Sequence, residues 1–265
     1  MTVIFCETEH NYVPYDEWFK LARLSGYQVI PIADMDVLNP DHVYIVNHFG
    51  ALGMPGNEHE AKARIILWQL EWTKVEEKIH FPSNIKEIWA SDKWFADYYG
   101  ARYVLLGSHK KLADTPPNPN GDKAYDVALM MYRNPYRRAR IISELKAAGV
   151  TISPDGWGHE RHTSLLSSRV MLHIHQHEDV STVAPLRFAI AAAYQLPLIT
   201  ETCHDIGNLK YGNFKAEYVL QSPYNNLTAM LQAWIATPDP EMFGRYFHEF
   251  LCHEHPFRYS VESML

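Results

Sequence analysis

The chain has few cysteines, no long apolar run and no excess of basic residues. Its three cysteines, Cys6, Cys203 and Cys252, are widely spaced and odd in number, which favours reduced, buried thiols over a disulfide framework. No apolar stretch is long enough to cross a bilayer, and the opening residues MTVIFCETE carry no basic leader. We therefore expect a cytoplasmic protein with no signal peptide and no membrane partner.

The charge balance is acidic, with a formal net charge of -7. Such a balance opposes strong non-specific binding to nucleic acid, although a local basic patch can still act. The 265 residues and a hydrophobic content of 47% suffice for one large or two small domains, each with its own core. The composition sets no oligomeric state, so a monomer and a homodimer both remain open.

Apolar and amphipathic segments alternate along the chain, which predicts βαβ units with mostly parallel sheets. In the first half, the predicted strands are 2–6, 28–33, 42–47, 85–91 and 102–106, and the predicted helices are 16–25, 58–77 and 93–99. In the second half, the predicted strands are 126–131, 150–153, 170–175, 197–200 and 218–220, and the predicted helices are 136–148, 160–167, 185–194, 225–236 and 241–254.

A segment rich in proline and asparagine, TPPNPNGDK at 115–123, is the best linker in the chain. It separates a predicted domain at 1–114 from a second one at 124–265. The α/β pattern starts again after the linker, so the predicted fold is two Rossmann-like domains that face a cleft.

Charged side chains follow the predicted strands of the second domain. Glu178, Arg187 and Glu201 lie near the carboxyl ends of neighbouring strands, the edge where open α/β sheets bind ligands. Arg187 stands near the start of a helix, where its charge, its fork geometry and the helix dipole together suit a phosphate.

A basic segment, YRNPYRRAR at 132–140, lies between a predicted strand and a predicted helix. Arg133, Arg137 and Arg138 can face a diphosphate there, or they can form a solvated helix face. Arginines at a helix start oppose the helix dipole, so a purely structural role is less natural for them.

Gly156, Trp157 and Gly158 also lie between a strand and a helix. Glycines allow close approach of the backbone to a flat ligand, and a tryptophan can stack on a base. A plain turn between strand and helix is the alternative.

Two groups of histidines stand at strand ends. His173, His175 and His177 alternate, so they share one face of a strand, where they can ligate zinc or pack as polar residues. His10 and His48 each follow a strand of the first domain and are candidates for a general base.

An ordered set of segments in the second half resembles the nucleotide-sugar-binding domain of GT-B glycosyltransferases. The segments are YDVALMMYRNPYRRARIISELKAAGVTI, DGWGHERHTSLLSSRVMLHIHQHED and APLRFAIAAAYQLPLITE. The first half carries a weaker likeness in LWQLEW and in IKEIWASDKWFADYYGARYVLLG. Phage glucosyltransferases that modify DNA bases have a similar layout of the second half.

The resemblance implies a role for each matched position. Arg187 would contact the donor diphosphate, together with one or more of Arg133, Arg137 and Arg138. The stretch from Gly156 to Gly158 would lie near the nucleobase. Two further matched residues are His175, the histidine of an "LNIH"-like strand, and Glu201, which would sit beside the sugar.

One position departs from the pattern. Many members of the family have a glutamate three residues after the arginine, where it holds the donor ribose, and this chain has Ile190 there. The resemblance then implies that another residue, such as Glu178 or Glu201, supplies that bond, or that donor binding is altered or lost.

The resemblance implies a glycosyltransferase that uses a nucleotide sugar as a substrate, with no cofactor and no metal. The acceptor is either a small molecule or glycan, or a hydroxylated DNA base. Two other functions stay open, a degenerate transferase that binds a nucleotide without chemistry and a metal hydrolase built on the histidine cluster.

Overall fold

The computed structural model describes residues 1–7, 16–47, 54, 63–70, 83–115, 117, 121–131, 133, 136–156, 158–178, 184–203, 219–237 and 241–265. The chain divides by its contacts into two compact units. Unit 1 comprises residues 1–106, 184–186 and 257–265, and unit 2 comprises residues 107–183 and 187–256. The domain limits 1–114 and 124–265 stay predictions, because these units are defined by contacts alone.

Unit 1 contains one parallel sheet whose described strands follow the order β2-β1-β3-β4-β5-β6. The strands are β1 (Thr2–Glu7), β2 (Gln28–Pro31), β3 (His42–Val46), β4 (Arg64–Gln69), β5 (Glu87–Ala90) and β6 (Arg102–Tyr103). Ile4, Tyr44 and Leu67 lie in the core on one side of this sheet. The βαβ pattern therefore gives the parallel sheet that the sequence predicts.

The helices of unit 1 are α1 (Asp16–Leu24), α2 (Lys93–Tyr99) and α8 (Phe257–Glu262). Helix α2 has the limits that the sequence predicts. The carboxylate of Asp92 accepts from the Phe95 N–H at 2.9 Å at its start, and Gly100 ends it in the left-handed region at φ 64°. Phe257 of α8 stacks on Trp68 at 5.7 Å between ring centroids.

The predicted helix at 58–77 is wrong at Arg64–Gln69, because this segment is strand β4. Strand β4 pairs in parallel with β3 on one side and with β5 on the other. Its residues Ile65, Ile66 and Trp68 are completely buried. A strand covered on both faces has a continuous apolar run, which periodicity does not distinguish from a buried helix.

Unit 2 contains a second parallel sheet with the strand order β10-β9-β8-β7. The strands are β7 (Tyr125–Leu129), β8 (Ser168–His173), β9 (Leu198–Glu201) and β10 (Val219–Ser222). Val127, Val170 and Ile199 are completely buried in one core with Leu145 and Leu231 from the helices.

The helices of unit 2 cover the predicted helical segments. They are α3 (Tyr136–Ala147), α4 (His159–Leu166), α5 (Pro185–Ala193), α6 (Leu227–Ile235) and α7 (Met242–His248), and a π-helical segment (Glu249–Glu254) continues α7. The first two residues of α5 belong to unit 1 by their contacts. Helix α5 begins two residues before Arg187, and α3 begins directly before Arg137. Both helices therefore bring arginines to the carboxyl ends of the strands.

The predicted strand at 150–153 is wrong. The segment makes one isolated parallel bridge, between Ile152 and Val127, and the Ser153 N–H donates to the Val127 carbonyl at 2.9 Å. The next residue is Pro154, which has no N–H to continue the ladder.

The prediction of reduced, buried cysteines is confirmed, since Cys6, Cys203 and Cys252 are all buried and free. Within the described part of the chain, no helix is both long enough and apolar enough to cross a bilayer.

Candidate functional site

The candidate site lies at the carboxyl edge of the sheet in unit 2. Strands β8 and β9 end there at His173 and Glu201, and the helices α3 and α5 begin with the arginines Arg137, Arg138 and Arg187. The structure thus brings together four charged residues to which the resemblance gives a role, Arg137, Arg138, Arg187 and Glu201. It adds His173, to which the resemblance gives none.

Arg187 is held by two acceptors. Its Nε donates to the carbonyl oxygen of Met130, just after β7, at 2.9 Å. Its Nη1 lies 2.6 Å from Nε2 of His173, at the end of β8. These two contacts orient the guanidinium.

His173 lies between Arg187 and the neighbouring strand. Its Nδ1 is 3.0 Å from Thr200 Oγ1 on β9, and the residue is 4% exposed. Burial lowers the pKa of His173 well below its usual value, and electrostatic interactions with Arg187, His175 and Arg138 lower it further. The imidazole is therefore neutral at physiological pH.

Arg138 is a buried cation on α3. Its Nε donates to the Ile174 carbonyl at 2.9 Å, and the residue is 4% exposed. Burial, followed by the charge of Arg187, lowers the pKa of Arg138 to about 10, while Glu201 opposes the change. The guanidinium keeps its proton at neutral pH, so a positive charge persists inside the site.

Arg137, in contrast, is paired with acids. Its Nη2 lies 2.5 Å from Glu201 Oε2, and its Nη1 lies 3.3 Å from Glu178 Oε1. The guanidinium also covers the ring of Tyr224 at 4.0 Å from the centroid. The Glu178 side chain is 88% exposed, so its share in this pair is weak.

Glu201 is 5% exposed at the end of β9. Its Oε1 accepts from the backbone N–H of His175 at 2.7 Å. Burial raises the pKa of Glu201 although Arg137, this hydrogen bond and Arg138 all act in the opposite direction. The ring Nε2 of His175 lies 3.3 Å from the thiol of Cys203.

A pocket of about 420 Å³ lies in the same unit, beside the end of β7 and the start of α4. Its walls include apolar side chains of Met131 and Leu165, and the polar residues Ser153, Asp155 and Glu160. Arg133 stands next to it, since Arg133 donates to the Ser153 carbonyl at 2.7 Å and pairs with Asp155 at 2.6 Å.

Two glycines shape the approach to α4. A Cβ at Gly156, which lines the pocket, would lie 2.5 Å from Cβ of Glu160, so a larger residue would displace the Glu160 side chain. Gly158 has φ 57°, in the left-handed region that favours glycine. Trp157 lies outside the described residues.

The structure brings together the predicted donor-side residues Arg137, Arg138, His175, Arg187 and Glu201. The predicted bases His10 and His48 lie outside the described residues. Ile190 is 3% exposed and thus belongs to the packed side of α5.

Sequence reasoning missed the role of His173 beside Arg187, and also Thr200 and Cys203. The alternating histidines drew attention to His173 as a metal ligand. Both of its ring nitrogens instead have other partners, one of them an arginine, which would repel a metal ion. Over the described ranges, no cluster of three or more His, Cys, Asp or Glu is placed to hold a metal.

No family model and no curated protein matches the sequence. Among solved structures, AviGT4, a glycosyltransferase involved in avilamycin A biosynthesis, aligns over 100% of this chain and 96% of its own, with a TM-score of 0.65 and 10% identity. An α1,3-fucosyltransferase aligns over 99% and 88%, with a TM-score of 0.51 and 9% identity. TarM aligns over 85% of this chain, with a TM-score of 0.55 and 10% identity, and the chain spans about half of its length, 54%. The chain therefore shares its fold with GT-B glycosyltransferases.

Proposed function

We propose that this protein is a glycosyltransferase that moves a sugar from a nucleotide-sugar donor to an acceptor hydroxyl without a metal. The observation that carries the proposal is the group of arginines at the carboxyl edge of the unit 2 sheet. Arg138 and Arg187 each donate to acceptors at the ends of β7 and β8, which places two fixed guanidinium groups at this edge.

The donor diphosphate is the proposed partner of these arginines. When the glycosidic bond breaks, negative charge builds up on the departing diphosphate, and fixed cations stabilise that charge. Arg187 and Arg138 are fixed by hydrogen bonds at two strand ends, to Met130 after β7 and to His173 and Ile174 at the end of β8. Such preorganisation means that little reorganisation is needed during the reaction.

The pocket beside β7 is the proposed site of the nucleobase. Its volume of about 420 Å³ falls within the range of small-molecule sites, roughly 300–1,000 Å³. Gly156 lines it, and Trp157 and Gly158 follow in the chain, as the family resemblance implies. Arg133, which pairs with Asp155 on its wall, would stand between the base and the diphosphate.

The ribose needs a hydrogen-bond acceptor other than Ile190. Glu178 is the better candidate, because its side chain is 88% exposed whereas that of Glu201 is 7% exposed and engaged with Arg137. In our proposal the acceptor binds to the first half of the chain. His10 or His48 would act as the base in an inverting reaction.

The proposal also concerns the chemical class of the acceptor. A small molecule or glycan and a hydroxylated DNA base are the two acceptor classes, and the acidic net charge of -7 favours the first. Transfer to DNA would show a steep decrease in affinity with salt, because phosphate contacts release counterions.

The proposal is tested by the release of nucleoside diphosphate from a panel of sugar nucleotides, with and without acceptors. We expect release by the wild type, and a loss of about 1.5–3 kcal/mol of transition-state stabilisation in Arg187→Ala, since a charged hydrogen bond is removed. The matched control is Arg258→Ala, because Arg258 is an exposed arginine of α8 whose side chain is 65% accessible. Equal rates for all three proteins would contradict the assignment of Arg187.

A further inference from the structure

The contact between Arg187 and His173 points to a role for His173 other than that of a base or a metal ligand. We infer that His173 is a positioning residue, whose neutral imidazole holds the guanidinium of Arg187 in the orientation that binds the donor diphosphate. This inference rests on the proposed function.

The contacts of His173 fix its tautomer. Arg187 Nη1 can only donate, so Nε2 of His173, 2.6 Å away, must be the accepting nitrogen. The proton of the neutral ring is then on Nδ1, which donates to Thr200 Oγ1 at 3.0 Å. The register of β8 and β9 fixes this partner, because His173 and Thr200 are directly paired in the sheet.

The surroundings of His173 favour the neutral form of its ring. The groups that face His173 from the neighbouring elements are Arg187 on α5, Arg138 on α3 and His175 after β8, with the neutral Thr200 on β9. The surroundings hold two permanent cations, so they favour the neutral ring that accepts from Arg187. A protonated ring would lose the acceptor and would repel Arg187 as well.

Two acceptors set the orientation of the Arg187 guanidinium. A guanidinium has five N–H donors in a fixed plane, so two acceptors define both its position and its rotation. The Met130 carbonyl holds Nε and His173 holds Nη1, and these two acceptors come from the ends of adjacent strands, β7 and β8. Removal of the imidazole takes away the acceptor of Nη1, so that the His173 contact no longer fixes the rotation of the guanidinium.

The test is a double-mutant cycle on the binding of UDP and GDP, measured by calorimetry at pH 7.5. We expect His173→Leu, which removes the acceptor, to weaken binding about tenfold, as expected for one charged hydrogen bond. His173→Gln, whose amide oxygen can accept from Arg187, should stay within about threefold of the wild type. In the Arg187→Leu background, His173→Leu should cause no further loss, because the two residues act as one unit.

A matched control is His248→Gln. His248 is a half-buried histidine of the same unit whose Nδ1 contacts the Ala192 carbonyl on α5, and burial lowers its pKa too. We expect this variant to bind like the wild type. A ¹⁵N spectrum of the imidazoles, assigned by the signal lost in His173→Gln, should show the Nδ1–H tautomer for His173, a signature that packing alone does not require.

The outcomes separate the two claims. Wild-type binding that His173→Leu leaves unchanged, or additive losses in the cycle, overturns the inference and leaves the proposed function standing. An Nε2–H tautomer overturns the inference as well. If His173→Leu does not fold, then a His173→Gln variant that binds more than tenfold more weakly overturns it. Failure of the wild type to bind any nucleoside diphosphate overturns the proposed function and the inference with it.

Discussion

At the scale of single residues, Arg137, Arg138 and Arg187 differ in their contacts within the site. Arg137 is neutralised by Glu201 at 2.5 Å, whereas Arg138 and Arg187 donate to carbonyls and to an imidazole. The ion pair between Arg137 and Glu201 ties α3 to β9.

The depressed pKa of His173 has a consequence for stability. The folded-state pKa lies well below 6.5, the value of the unfolded chain, so below pH 6.5 the unfolded chain binds a proton that the folded chain does not. The free energy of unfolding should then decrease with falling pH, by up to about 1.4 kcal/mol per pH unit, and should not change above pH 7.5 on this account.

Chemical denaturation of the wild type and of His173→Gln at pH 7.5 and pH 5.5 measures this effect. Glutamine does not titrate, so the difference in unfolding free energy between the two proteins should shift by about 1.4 kcal/mol in favour of the variant at the lower pH. A difference that is the same at both pH values would show that the folded protein protonates His173 as readily as the unfolded chain does.

At the scale of elements, tight packing beside α5 fixes the helix that carries Arg187. A Cβ on Gly244, in α7, would lie 2.0 Å from the Gln195 carbonyl oxygen and 2.9 Å from Cδ of Pro197. Gln195 itself has φ 54°, so the chain leaves α5 through a constrained turn. The close approach of α7 to this turn requires glycine at position 244.

We predict that Gly244→Ala destabilises the fold by about 1–3 kcal/mol, the usual cost of overpacking, because the obstacle is backbone and cannot rotate away. Thermal and urea unfolding measure the change. The comparison is Gly149→Ala, where φ is 79° and no atom lies within 4 Å of the added Cβ, so only the conformational cost of about 1–2 kcal/mol remains. Gly244→Ala unfolding at the wild-type midpoint would mean that α7 can move at no cost.

The elements also show what sequence alone can predict. Helix α2 was predictable to the residue, because Asp92 and Gly100 are local start and stop signals. Strand β4 was not, since its apolar run Ile65 to Trp68 acquires its conformation from hydrogen bonds with β3 and β5. The prediction of a strand at 150–153 was wrong for the opposite reason. The local sequence has a strand pattern, but the segment makes only one isolated bridge with β7.

The same difference between local signals and long-range pairing applies to the candidate site. The arginines were predictable, because charge after a strand and at a helix start is visible in the sequence. The partner of Arg187 was not, because the meeting of His173 with Thr200 depends on the register of β8 and β9. The alternation of the histidines predicted which face of the strand His173 occupies. It did not predict which residue of the neighbouring strand lies beside His173.

At the scale of the whole molecule, two parallel sheets with crossover helices are the basis of the account. The alternation of strands and helices was sufficient to predict the α/β class. An ordered set of segments in the second half resembles GT-B glycosyltransferases, and the fold shared with AviGT4 confirms that resemblance at a TM-score of 0.65. A fold supports many activities, so the function must be argued from the site. The central claim is therefore that unit 2 binds the diphosphate of a sugar nucleotide.

A thermal-shift screen of the full chain against nucleoside diphosphates and sugar nucleotides tests this claim most directly. A ligand that binds only the folded protein raises the melting temperature, with a stabilisation of about 2.7 kcal/mol at a concentration of 100 times Kd. The account predicts a shift with at least one nucleotide, a smaller shift in Arg187→Ala and an undiminished one in Arg258→Ala. No shift with any nucleotide, or the same shift in both variants, would contradict it.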